Sequence, residues 1–558
     1  MSGRNVLVAK AWPYANGPLH FGHIAGLLPA DALARYFRLA KDNVLFVSGS
    51  DCHGTPILNR AIEEGKSPAE IADFYHQQFL DHFSQLGFSH DLYNKTADPR
   101  HHEIAQQILQ RLYHRGYVIA KKTPHLFSAT LDRLVADREV EGTCPDCGAL
   151  DSRGDQCDAC GKTYEATELI SPRLKNGSGD LIIVEAEHLH LDLRKVEAKL
   201  RAWVEEKQTI WRENAFKTTM SWLADGLKTR EVTRDIDWGV SVTIPGFENK
   251  RIYVWFEAVI GYLSASIIRC GGDLDGGEWE KWWRPEYLPI HYYVHGKDNI
   301  PFHTIIFPAM LLGLGDLALP NIIASSEYLT LPEGKKFSTS QGYGATVSDY
   351  FDMVGPVEGL TVDSLRFFIL ARNPEARDSP FSWASFSNFH NAELVNKFAN
   401  LFSRVHALTE KHFENRVPVM VDGFDGHQEI RLAIDSCYSD LARLYEGANF
   451  RAAVDRWLEL VVFANKFINT HEPWKQVAVD MEKAAGTLYV AWQLIYNLLI
   501  MIYPVIPFAV EKAFSVMNIT VENANSAGWV RREILPGLGL NVRTSLFTRI
   551  NRDDLPED

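Results

Sequence analysis

The chain has 558 residues, 46% hydrophobic and 23% charged, an ordinary globular composition too long for one core, so two to four domains are expected. The formal charge of −14 argues against binding nucleic acid through net charge, yet leaves room for a local basic patch that meets phosphates. The longest apolar runs, such as 458–464, read as broken by charge well short of a membrane span, and the N-terminal run is too short for a secretory signal, so a cytoplasmic protein with no membrane partner is expected.

Asn5-Val-Leu-Val-Ala-Lys-Ala11 is a short β-rich run, followed by a Pro/Gly/Asn turn and a helical stretch from about Gly22. Val44-Leu-Phe-Val-Ser48 reads as a second strand, and amphipathic segments run over about 68–88 and 101–115. This alternation predicts an α/β domain of Rossmann type, a parallel sheet covered by helices. The pattern degrades over about 116–225. It resumes with Arg251-Ile-Tyr-Val-Trp-Phe256, Ile290-His-Tyr-Tyr-Val294 and Asn321-Ile-Ile-Ala324, as in one domain interrupted by an insertion.

Within the insertion, Cys144-x2-Cys147 and Cys157-x2-Cys160 form two Cys-x-x-Cys hairpins. Four thiolates at that spacing can close a tetrahedral Zn²⁺ site with no position left for water, so one structural zinc is expected. After about 385, helices take over. Leu394, Phe398, Leu401, Phe402, Val405 and Leu408 fall on one helical stripe, with further helices over about 430–448, 452–470 and 481–501. An α-helical bundle and a less regular tail are the natural reading. The expected divisions are 1–115 and 226–328 for the two halves of the sheet domain, 116–225 for the insertion, 329–385 for a loop and connector, 386–520 for the bundle and 521–558 for the tail.

Pro13-Tyr-Ala-Asn-Gly-Pro-Leu-His-Phe-Gly-His23 lies between the first strand and the following helix, where backbone N–H groups and the helix dipole favour phosphate. His20 and His23 can donate to phosphoryl oxygens, and Gly22 leaves room for a flat base or ribose. Downstream, Gly334-Lys-Lys-Phe-Ser-Thr-Ser340 is a small-residue loop whose lysines can neutralise a departing pyrophosphate. In this order the two motifs resemble the HIGH and KMSKS signatures of class I aminoacyl-tRNA synthetases. Longer matches resemble the methionyl family: Pro13 to Gly17, Ser50-Asp-Cys-His-Gly-Thr-Pro56, Tyr253-Val-Trp-Phe-Glu-Ala258 with Ile260-Gly-Tyr262, Gly296-Lys-Asp-Asn-Ile-Pro-Phe-His303 and Pro473-Trp474. The insertion of about 110 residues is too small for the editing domain of the isoleucine, valine and leucine enzymes.

The resemblance implies ATP-dependent activation of L-methionine and its transfer to tRNA(Met), with Mg²⁺ accompanying ATP. It implies catalytic roles for His20, His23 and Lys336, and an ATP site of His20, Gly22, His23, Gly296, Asp298, Lys335, Lys336, Ser338 and Ser340. Asp51 would hold the methionine ammonium. Trp12, Tyr14, Trp255, Ala258, Val259, Tyr262 and His303 would line the side-chain pocket, its aromatic walls suited to a thioether. Asn400, Arg404 and Trp474 would read the CAU anticodon by hydrogen bonds and stacking. Trp12 and Val259 stand where many members have leucine and proline, and Thr339 and Gln341 where lysine and arginine are common. The Trp12 and Val259 departures keep open a paralogue that activates another small amino acid, against which the retained Asn400, Arg404 and Trp474 count. A non-catalytic RNA-binding descendant would be expected to lose His20, His23, Asp298 or Lys336, all present. A monomer is expected, because no C-terminal OB-fold of the dimerising kind is read.

Overall fold

Strands with near-continuous apolar runs are buried on both faces and pair in parallel. Five strands form one sheet in the spatial order Ile322–Ser326, Ile290–Gly296, Asn5–Lys10, Asn43–Ser50 and Leu92–Lys95, the last a short, half-buried edge strand. Every adjacent pair is parallel. The computed structural model describes residues 3–337 and 344–558 apart from 136, 155, 156, 158, 161, 163, 176–178 and 420–426. From Asn5–Lys10 the chain first builds the sheet to one side and later returns to build it on the other. The carboxyl ends of Asn5–Lys10 and Ile290–Gly296 therefore flank a topological switch point, where open α/β sheets bind ligands.

The helix Phe21–Leu39 leaves that switch point and is buried along most of its length. On its far side lies Val362–Ala371, whose fully buried Arg366 donates to Asp31 Oδ2 at 2.7 Å, Leu86 O at 2.9 Å and Val505 O at 2.9 Å. A buried guanidinium is tolerated because its donors meet a carboxylate and carbonyls. One side chain thus ties the helix carrying His23 to the corner before Pro507–Val516.

The insertion is more regular than its sequence pattern. Val118–Ser128 pairs antiparallel with Leu181–Asp192 along its full length, and a small sheet centred on Val140–Thr143 carries the cysteine hairpins. The two long strands escape a periodicity reading because much of each lies half-exposed or exposed on both faces. The reading of 251–256 as a strand is corrected. Only Arg251–Ile252 pairs, and Val254–Cys270 is a helix whose β-branched and aromatic start is carried by burial rather than propensity.

The C-terminal half is helical: Trp383–Phe389, His390–Ala399, Asn400–His412, His427–Glu446, Phe450–His471 and Met481–Ile502. The reading of apolar runs is also corrected. Residues 484–510 carry no charge, and Met481–Ile502 is long and apolar enough to cross a membrane, but 94% of its apolar window is buried inside the protein. It is the core helix of the bundle. The irregular tail packs against the core helix and against His390–Ala399: Arg532 N–H donates to Asn497 Oδ1 at 2.8 Å, and Ile550 N–H to Asn391 Oδ1 at 2.9 Å.

Candidate active site

His20 caps Phe21–Leu39 in an unusual box. The His23 backbone N–H donates to His20 Nδ1 at 3.3 Å and the His20 N–H to His23 Nδ1 at 3.2 Å. The rings stack with centroids 3.7 Å apart. Burial lowers the His20 pKa to about 4, and burial, then His20 and Lys10, push His23 well below its ordinary value. Both imidazoles are therefore neutral near pH 7. With Nδ1 accepting, each carries its proton on Nε2, the tautomer able to donate to an oxyanion. A Cβ on Gly22 would come within 3.0 Å of the His20 ring, so glycine is what lets the pair close.

Asp51 follows Asn43–Ser50 at the same edge of the sheet. Its Oδ1 is buried with no hydrogen-bond partner, and burial followed by the charge of Glu257 raises its pKa well above the carboxylate range. Such a group is costly unless a cation arrives. Around it, Trp255 Nε1–H donates to the Tyr14 hydroxyl at 2.5 Å and the Trp255 ring meets Phe302 edge-on at 4.1 Å. The His303 Nδ1–H donates to Asn299 O at 2.8 Å, which leaves Nε2 to accept from the Tyr262 hydroxyl at 2.8 Å. His303 lies in the π-helical turn Phe302–Ile306, a distortion frequent at functional sites. Ala258 is half-buried and Val259 buried on Val254–Cys270. Trp12 is accommodated by two glycines: a Cβ on Gly49 would come within 2.4 Å of its ring, and one on Gly261 within 2.6 Å. The bulk that Trp12 adds is thus taken up by neighbours.

A buried pair that sequence reasoning left unassigned lies beside Asp51. His53 Nδ1 and Glu257 Oε1 are 2.5 Å apart, both side chains buried. Both residues sat inside matched motifs; only their 204-residue separation hid the contact.

At the other side of the switch point, a Cβ on Gly296 would meet nothing within 4 Å, leaving open space above its backbone. Asp298 is exposed and accepts from the Tyr328 hydroxyl. The Lys336 ammonium lies 4.0 Å from the Tyr328 ring centroid. Phe337 packs on His20 and Phe21, with ring centroids 5.9 and 6.3 Å away, so the lysine-bearing loop is joined to the histidine pair. Lys335 is exposed. Ser338, Thr339, Ser340 and Gln341 lie outside the described residues.

Two predicted groups lie apart from this site. The sulfurs of Cys144, Cys147, Cys157 and Cys160 all fall within 4.8 Å of one another, with Cys144–Cys160 at 3.9 Å and Cys147–Cys157 at 3.6 Å. A zinc tetrahedron with bonds of about 2.3 Å has edges of about 3.8 Å, so the donor set fits that ion. In the bundle, the Arg404 guanidinium lies 5.1 Å from the Trp474 ring centroid, and Arg404 donates to Asn469 Oδ1 at 3.0 Å. Trp474 is 38% exposed, large for a tryptophan, and Asn400 is exposed one turn before Arg404. Asn400 begins where the π-helix His390–Ala399 ends.

Comparison with known proteins agrees over the whole chain. The family model described as tRNA synthetases class I (M) matches residues 6–406, and that for the anticodon binding domain of methionyl tRNA ligase matches 421–557. A methionine–tRNA ligase of Roseiflexus sp. (strain RS-1) is 42% identical, covering 96% of this chain and 91% of that one. Methionine–tRNA ligase 1 of Alkaliphilus oremlandii is 38% identical over 98% of both chains. The fold is that of Mycobacterium tuberculosis methionyl-tRNA synthetase in complex with methionyl-adenylate, with a TM-score of 0.80, 24% identity and coverage of 98% and 100%. With motifs, sheet order and both halves matched, the chain belongs to the methionyl-tRNA synthetase family of class I.

Proposed function

We propose that this enzyme activates L-methionine with ATP and transfers it to the terminal ribose of tRNA(Met), as a cytoplasmic monomer serving protein synthesis. The observation that carries the reading is the unpartnered buried oxygen of Asp51, which follows a strand of the same sheet edge as the two neutral donor imidazoles. The Asp51 carboxylate takes the α-ammonium, and Trp12, Tyr14, Trp255, Ala258, Val259, Tyr262 and His303 surround the side chain. The Tyr262–His303 bond fixes one wall. Gly296 and Asp298 receive the ribose of ATP, and His20, Gly22, His23, Lys335 and Lys336 its phosphates. Mg²⁺ accompanies ATP and shields phosphate charge.

The methionine carboxylate attacks the α-phosphorus, and the bond to pyrophosphate breaks. His20 and His23 donate through Nε2–H to the oxygens that gain charge, without giving up a proton. The terminal tRNA hydroxyl then attacks the activated carbonyl and AMP leaves. Methionine-dependent ATP–pyrophosphate exchange, followed by charging of tRNA(Met), tests the whole reading. Exchange supported better by another amino acid would favour the paralogue, and absence of exchange would leave an RNA-binding protein.

Replacing Lys336 by alanine should lower adenylate formation far more than methionine affinity, because the ammonium is needed as pyrophosphate leaves. Single-turnover rates beside equilibrium methionine binding measure the split. Equal rates in mutant and parent would deny Lys336 the role.

Cys144, Cys147, Cys157 and Cys160 would hold one zinc ion with no open position, giving the insertion a fixed tip and no part in the chemistry. Purified protein should carry about one zinc per chain. Cys157→Ser should lose the metal and lower thermal stability and activity together, and a full-strength, metal-free parent would overturn the assignment.

A further inference from the structure

Tyr328 carries five contacts that neither the sequence motifs nor the reaction scheme uses. Its hydroxyl donates to Asp298. Its ring lies under two ammonium groups, Lys297 at 4.1 Å and Lys336 at 4.0 Å from the centroid. Its backbone is clamped on both sides: the Tyr328 N–H donates to Asp378 Oδ1 at 2.8 Å, and the Ser379 N–H donates to Tyr328 O at 3.0 Å. The ring is therefore a fixed platform, half-buried, between the exposed carboxylate and the lysine loop.

The two lysines differ in how their charge is met. Lys297 is paired with Glu327 at 2.5 Å and faces Asp378 at 3.4 Å. Lys336 has no carboxylate within ion-pair distance among the described residues. A carboxylate beside Lys336 would hold it, but would also cancel the charge a leaving pyrophosphate needs. An aromatic face attracts the ammonium through its quadrupole and adds no net charge. The hydroxyl at the far end of the same ring fixes Asp298.

We infer that Tyr328 is a positioning residue for amino-acid activation, its ring holding Lys336 un-neutralised at the phosphate end and its hydroxyl aligning Asp298 for the ribose. The inference rests on the proposed activation reaction and assigns to one side chain two separable tasks. The hydroxyl acts on nucleotide affinity. The ring acts on the rate through Lys336.

The test uses the whole enzyme in methionine-dependent ATP–pyrophosphate exchange. Tyr328→Phe keeps the ring and loses the hydroxyl; it should raise the ATP KM several-fold and leave kcat within about twofold. Tyr328→Leu loses both and should in addition lower kcat by about tenfold, a loss that Tyr328→Trp should largely restore by returning a ring. In a Lys336→Ala background, Tyr328→Leu should lower kcat no further, because the ring acts through the lysine. Equal kcat for the Phe and Leu variants, or an undiminished effect of Leu without Lys336, would overturn the inference. If Tyr328→Leu does not fold, the Phe and Trp variants decide it: a kcat loss in both, with ATP KM unmoved in Phe, overturns it equally. A parent enzyme with no methionine-dependent exchange would instead sink the activation reading itself.

Discussion

Asp51→Asn should cripple methionine use more than any other single change in the pocket. The substitution keeps the shape and removes the charge proposed to meet the substrate ammonium. Truncating one partner of a buried charge pair costs about 2–5 kcal/mol, roughly 30- to 4,000-fold in kcat/KM for methionine. The ATP KM should move little. The pH dependence supplies a second signature. Burial and Glu257 hold the free Asp51 carboxyl protonated well above the ordinary carboxylate range, while a bound ammonium favours its ionised form. Methionine binding must therefore release a proton, and affinity should rise with pH through the raised Asp51 pKa until the substrate ammonium itself deprotonates. The asparagine variant should lose that slope. Titration calorimetry in buffers of different ionisation enthalpy measures it, and an unchanged slope in the variant would place the titrating group elsewhere.

Trp474→Ala should strike the other end of the molecule. The half-exposed indole under the Arg404 guanidinium offers a face on which an unpaired base can stack. Loss of one such stack costs about 1–3 kcal/mol, so charging of tRNA(Met) should fall roughly five- to hundredfold or somewhat more. Pyrophosphate exchange should stay within a factor of about two, since no reacting atom is near. A comparable fall in exchange would mean that the substitution disturbs the catalytic half.

How these sites were legible in the sequence differs residue by residue. His20, His23, Asp51 and Asp298 all follow strands at one edge of a parallel sheet, so short motifs after β-rich runs sufficed to find them. The cysteine hairpins carried their own spacing. Arg404 and Trp474 meet through space across two helices, and only the family resemblance joined them. His53 with Glu257, Arg366 with Asp31, and Tyr328 with Lys336 are pairings of single residues that no local pattern announces. The start of Val254–Cys270 misled because Tyr253, Val254 and Trp255 favour strands in isolation, while the burial of Val254, Phe256, Val259 and Ile260 decides for a helix. The uncharged stretch over 484–510 shows the same effect at bundle scale.

The Arg366 contacts bear on whether the two halves are modules. Asp31 keeps its charge in the interior because Arg35 and Arg366 stand against it, and its pKa is held below the ordinary carboxylate range despite burial. Arg366 in turn spends two of its donors on carbonyls at Pro504 and Val505. A catalytic fragment ending before the bundle would therefore leave Arg366 with donors lost and the outer face of Phe21–Leu39 uncovered. The helix presenting His20 and His23 would sit on a half-built interior. Chemistry and anticodon reading should separate under point substitution, whereas cutting the chain between them should loosen the histidine pair from below. The synthetic site is in this sense an inheritance held in common by both domains, and no division drawn along the sequence assigns it to one.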